Sequence, residues 1–125
     1  MLKEFFSSLK KEEPEAIRDI AKEKIIILPN LPEEIKDLLE EAYLLEHKQL
    51  KTKDARLRRE LCGDALIKYQ KALDKVSQGV KIANRRQMHD MADIYNAESI
   101  YIRERMDYLL TARKYLKEKK QEEAA

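Results

Sequence analysis

Glycine, proline, cysteine and tryptophan are scarce or missing in this chain, which has two Gly, three Pro, one Cys and no Trp in 125 residues. Two glycines leave no phosphate-cradling loop of the P-loop or dinucleotide type, since those loops need glycines at fixed spacing. So few turn residues exclude most all-β designs, which need a turn roughly every 8–12 positions. Cys62 can form no intrachain disulfide, and its isolation points to a reducing, cytoplasmic setting. One cysteine with His47 and His89 also falls short of a structural zinc set. No apolar run approaches the roughly 20 residues of a membrane span, and the first residues lack a continuous apolar core of signal-peptide type. An excess of charge of one sign is missing too. The 26 basic and 24 acidic residues leave a net of +2, which carries no global signature of polyanion binding.

What is present is helix-forming material. Apolar residues make up 43% of the chain and charged residues 40%. A composition rich in Ala, Glu, Lys, Leu and Arg with few breakers reads as long helices, and it also suits a heat-adapted source. The length fits one ordinary domain over residues 1–125. Leu2, Phe5, Phe6 and Leu9 stand at helical spacing, and a second short helix is expected after Pro14, with Ile17, Ile20, Ala21, Ile25 and Leu28 in one stripe. The run Ile25–Leu28 is β-branched, but with no partner strand it is expected to be a helix end docked into the core. The N-terminal apolar face flanked by Lys3, Lys10 and Lys11 suits docking against the bundle, or against a partner subunit, better than lying on a membrane surface.

Pro29-Asn30-Leu31-Pro32 is the clearest break, and Pro32 followed by Glu33 and Glu34 makes a good helix start. Ile35, Leu38, Leu39, Ala42 and Leu45 continue the apolar face. A further break is expected near 51–54, with Thr52 or Asp54 as N-cap, or alternatively at Gly63-Asp64. Leu66, Tyr69, Leu73, Val76 and Val80, continued by Ala83, alternate steps of three and four, which is a heptad seam. After a turn around 84–90, Met91, Ile94 or Tyr95, Ile102, Met106, Leu109 and Leu116 mark a second long helix. The expected fold is all-α, a helical bundle built on a long antiparallel helix hairpin with additional N-terminal helices. In this reading 1–30 form short N-terminal helices, 32–120 the bundle core and 121–125 a frayed tail.

Antiparallel packing would gather charge that the composition hides. Lys48, Lys51, Lys53, Arg56, Arg58 and Arg59 would lie beside Arg113, Lys114, Lys117, Lys119 and Lys120 at one end of the hairpin. Lys48, Lys51, Lys53, Arg56, Arg58, Arg59, Arg113, Lys117 and Lys120 are the candidate phosphate-contacting residues of a nucleic-acid site. The acidic stretch 33–46, with Glu33, Glu34, Asp37, Glu40, Glu41 and Glu46, offers the competing account, internal neutralisation of that basic pole. Only Tyr115 is interleaved with it, which gives no base-stacking platform.

Catalytic patterns do not emerge. A di-iron bundle needs Glu-x-x-His, yet Leu44 and Arg86 stand three residues before the two histidines. No catalytic or metal constellation and no cofactor is expected. The stretch Lys81–Asp90, with His89-Asp90, resembles the phosphoacceptor helix of some sensor histidine kinases over ten residues, which implies a phosphotransfer role for His89. A metal phosphohydrolase built on His89-Asp90 would need Asp107 nearby, and on one continuous helix the two lie about 27 Å apart.

Ala65-Leu66-x-x-Tyr69-x-x-Ala72-Leu73, followed by Tyr108-Leu109-x-x-Ala112, is similar to the second and third helices of MIT domains. Those three-helix bundles recruit the tails of membrane-remodelling filament proteins into grooves between helices, so the resemblance implies a peptide-binding bundle. It covers about half the chain. The intervening stretch is several residues longer than in the family, and the first helix lacks the family's pattern. Together these features lead to the expectation of a non-enzymatic protein–protein interaction or assembly module, a subunit of a larger or viral complex. Homodimerisation is expected through the seam of Leu66, Tyr69, Leu73, Val76 and Val80. A nucleic-acid-binding accessory protein is the alternative.

Overall fold

The computed structural model describes residues 23–124, and the side chains of residues 23–117. The fold is an all-α helical bundle of α1 (Glu33–Lys51), α2 (Ala55–Arg85) and α3 (His89–Ala124), with no strand among the described residues. The helices expected at 1–11 and from Pro14 lie outside the described residues.

Three short signals set the helix ends. Pro32 precedes α1 with an extended backbone, and its carbonyl accepts from Ile35 and Lys36, both at 3.1 Å. Glu33 and Glu34 in the first turn and Lys48 and Lys51 in the last suit the helix dipole. The chain then breaks at 52–54, where the Asp54 carboxylate accepts from the amides of Arg56 (2.8 Å) and Leu57 (3.2 Å) and starts α2. The alternative break at Gly63-Asp64 is overturned, since α2 runs through both residues. At the end of α2, Met88 N–H donates to Ala83 and Gln87 N–H to Asn84. This is a Schellman closure with Gln87 in the left-handed position at φ 56°. α3 continues to Ala124, and 113–124 contains no Gly or Pro and is rich in strong helix formers.

The segment before α1 departs from expectation. Residues 24–28 are neither helix nor strand. Ile25 and Leu31 are nevertheless buried in the core. The segment is held by polar contacts as well, with Leu28 N–H donating to the Glu98 carboxylate at 3.0 Å and Lys24 Nζ donating to Glu40 at 2.7 Å. The Leu28 amide, spent on a side chain of α3, is not available to an α-helical ladder.

α1 and α2 run antiparallel, bridged by Lys68–Glu41 at 2.9 Å and Lys75–Glu34 at 2.7 Å. α2 and α3 also pass in opposite directions, with Gly63 facing Arg113 and Gly79 facing the Tyr95 ring. A Cβ built on Gly79 would stand 2.7–2.8 Å from that ring, so its absence admits Tyr95 between the helices.

The buried line of α2 is Arg58, Cys62, Ala65, Tyr69, Ala72, Val76 and Ala83. It shares Tyr69, Val76 and Ala83 with the expected heptad seam, but Ala65 and Ala72 take innermost places. Leu66, Leu73 and Val80 are displaced to the flank, where they are half-buried. Small residues sit where backbones approach most closely, and larger neighbours fill the sides. The residues of the expected dimer seam are thus divided between the bundle's own core and its flank. Tyr69 and Val76 are wholly covered by the chain itself.

A polar layer crosses this core. Glu46 is fully buried and is bound by the Arg105 guanidinium, with Arg105 Nε at 3.2 Å, while the Tyr69 hydroxyl reaches the same carboxylate at 3.5 Å. Arg58 donates to Gln49 Oε1 from Nε at 3.1 Å and from Nη2 at 2.9 Å. Burial lowers the Arg105 pKa, raises the Tyr69 hydroxyl and raises the Glu98 carboxyl, the last partly opposed by the Leu28 hydrogen bond. These residues stand in the apolar register, Glu46 and Gln49 after Ile35, Leu39 and Ala42, and Arg105 between Ile102 and Leu109. Charge in an otherwise apolar stripe was the signal that could have identified them.

Candidate functional site

The outer side of the α2–α3 pair forms an open groove of about 520 Å³. Leu66 and Ile67 of α2 face Met106 and Leu110 of α3 across it, with Gln70 and Gly63 also lining it. Ile67 is 56% exposed and Leu110 51%, although both lie on long helices with buried neighbours. The physical cause is the breadth of the apolar stripes. Each helix has an inner line for the bundle and an outer edge that α1, packed on the opposite flank of α2, cannot cover. Gly63 matters here because it leaves the groove floor open beside the Arg113 side chain, 4.0 Å from its Cβ position.

One end of the groove is basic. Arg56, Arg59 and Arg113 line an adjoining cleft of about 280 Å³ with Glu60. The structure thus brings together three of the candidate cations from two helices. Lys48, Lys51, Lys53 and Lys117 are exposed on the same end of the bundle but line neither space. Arg58 leaves the set. It is only 6% exposed and its guanidinium is directed inward to Gln49. The side chain of Lys120 lies outside the described residues.

The acidic helix α1 does not neutralise this end. Four of its carboxylates are engaged elsewhere: Glu34 with Lys75, Glu40 with Lys24, Glu41 with Lys68, and Glu46 with Arg105. Within the cleft, Glu60 lies 3.6 Å from Arg56. Arg59 and Arg113 have no ion-pair partner among the described residues.

His89 and Asp90 are exposed at the start of α3. α3 is continuous through Asp107, so the two ends of the phosphohydrolase arrangement stay about 27 Å apart and share no metal. Among the described residues no group of three or more His, Cys, Asp or Glu is placed to hold a metal ion. Cys62 is fully buried. No helix of the described residues is long and apolar enough to cross a membrane.

The chain matches no protein-family model, no curated protein and no solved structure in comparisons with each.

Proposed function

We propose that the protein is a non-enzymatic interaction module, a subunit or adaptor in a larger assembly, that receives an amphipathic helix of a partner protein in the α2–α3 groove. The observation that carries this reading is the exposed apolar pair Ile67 and Leu110, set with Leu66 and Met106 along one groove that ends on Arg59 and Arg113, which have no ion-pair partner among the described residues. A helix laid there would complete the outer side of the pair as a fourth helix completes a bundle. The arginines select a partner helix with an acidic end. The similarity of 65–73 and 108–112 to MIT domains favours the same mode, since those bundles take peptides in grooves between helices.

The test uses a labelled model helix with Leu at three- and four-residue spacing and Glu at one end, followed by fluorescence anisotropy. Binding is expected, with loss on Leu110→Glu or Ile67→Glu and weakening on Arg113→Gln. No binding, or binding indifferent to Leu110→Glu, would sink the proposal.

The second reading, a nucleic-acid-binding accessory protein, draws on the convergence of Arg56, Arg59 and Arg113 with exposed Lys48, Lys51, Lys53 and Lys117 beyond them. It requires affinity for a DNA or RNA oligomer that falls steeply with salt. It also requires that affinity to vanish when Lys51, Lys53, Arg56 and Arg59 are changed to Glu.

A further inference from the structure

The groove and the cleft at its end differ in charge. The groove is lined by Arg59 and Arg113 against Glu60 and Asp64, which balance. The cleft excludes Asp64 and sets three guanidiniums, those of Arg56, Arg59 and Arg113, against the Glu60 carboxylate alone. With Glu60 beside Arg56 on the same helix face, two positive charges remain on Arg59 and Arg113. One of their donors is also stranded. Arg59 Nε–H is buried and has no acceptor among the described residues. A cationic donor that has lost water without gaining an acceptor is costly to the free protein, and a rotation of the Arg59 side chain towards a bound anion would relieve that cost.

Resting on the groove reading above, we infer that this cleft receives a phosphoryl group carried on the partner segment, a phosphorylated side chain at the end of the amphipathic helix. Charge decides between a phosphoryl group and a carboxylate. A phosphorylated Ser or Thr carries about −1.5 to −2 at neutral pH and three acceptor oxygens, which matches two guanidinium forks. A carboxylate supplies one negative charge and leaves one fork underused. The surroundings decide between a protein and a nucleic acid. The cleft opens onto Leu66, Ile67, Met106 and Leu110, and no aromatic ring lines either space. An apolar helix face fits that continuation, whereas stacked bases find no platform.

The experiment compares three versions of one labelled amphipathic helix, ending in phosphoserine, glutamate or serine, on the full chain. Binding of the phosphoserine version about tenfold tighter than the glutamate version is expected, equivalent to about 1.4 kcal/mol. Arg113→Gln, at an exposed position, should erase most of that margin, as should Arg59→Gln. The margin should also shrink between pH 7.5 and pH 5.5 as the phosphoryl group gains its second proton near pH ~6. Equal binding of all three overturns the phosphoryl assignment and leaves the groove standing. Binding by none overturns both. Inorganic phosphate competing as well as the phosphoserine helix, or a 5′-phosphorylated RNA oligomer binding more tightly than it, overturns the partner-helix source.

Discussion

Glu46 and Arg105 are buried together, and each is the other's charge partner. Removing Arg105 leaves the buried Glu46 carboxylate without its cation in the core, a loss of about 3–5 kcal/mol. Arg105→Met should therefore lower the urea midpoint sharply, while Glu46→Leu combined with Arg105→Met should recover most of the loss. A double variant as unstable as the single would show that the apolar shape around the pair, and not its charge, holds the site. Glu98 gives a prediction of opposite kind. Burial raises its carboxyl above 4.5, so the folded chain keeps a proton that the unfolded chain has released. The contribution of this group is most favourable below that unfolded value and is lost as pH rises through the folded one. Glu98→Gln keeps an oxygen for the Leu28 amide but cannot ionise. Stability curves of the two proteins should meet in acid and separate towards neutral pH, with the variant the more stable. These residues were poorly legible in the sequence, because a Glu or Arg in helix register looks like a solvated charge until its neighbours on other helices are known.

At the scale of the element, the ends were far easier to read. Pro32 with Glu33 and Glu34, and Asp54 before Ala55, act through bonds made within a few residues, so their roles follow from local chemistry. Asp54→Ala should cost about 1 kcal/mol of stability by losing its bonds to the Arg56 and Leu57 amides. The turn between α2 and α3 supplies a gain. Gln87 stands at φ 56°, where glycine carries no steric cost, so Gln87→Gly should raise the thermal midpoint by an amount equivalent to about 1 kcal/mol. The two helical glycines should part company. Gly63→Ala meets only ordinary contact and should stabilise by roughly 0.5–1 kcal/mol. Gly79→Ala drives a methyl into the Tyr95 ring, and its helix-propensity gain should be lost unless Tyr95 is also reduced to Leu. Calorimetry of these variants measures both effects.

At the scale of the whole molecule, the near-zero net charge conceals an uneven distribution. α1 carries carboxylates that are matched by lysines along α2 and by Lys24, while at the far end of the α2–α3 pair Arg59 and Arg113 have no match among the described residues. Replacing Ile67 and Leu110 together by Glu should leave the urea midpoint within about 0.5 kcal/mol of the parent, because both side chains already face water. A large loss of stability in that variant would mean the groove is part of the fold and not a surface for a partner. The sequence by itself determined the helical class, the break at 29–32 and the turn before His89, and narrowed the next break to 51–54 or Gly63-Asp64, because scarcity of Gly and Pro, caps and periodicity all act over a few residues. Only the tertiary structure decided that Ala65 and Ala72 rather than Leu66 and Leu73 lie innermost, that Arg58 turns inward, and that residues 24–28 form an irregular strap. It alone decided, too, that Arg59 and Arg113 share one cleft. Each of those outcomes depends on how close two helices approach and which faces meet, and that is set by contacts between residues far apart in the chain.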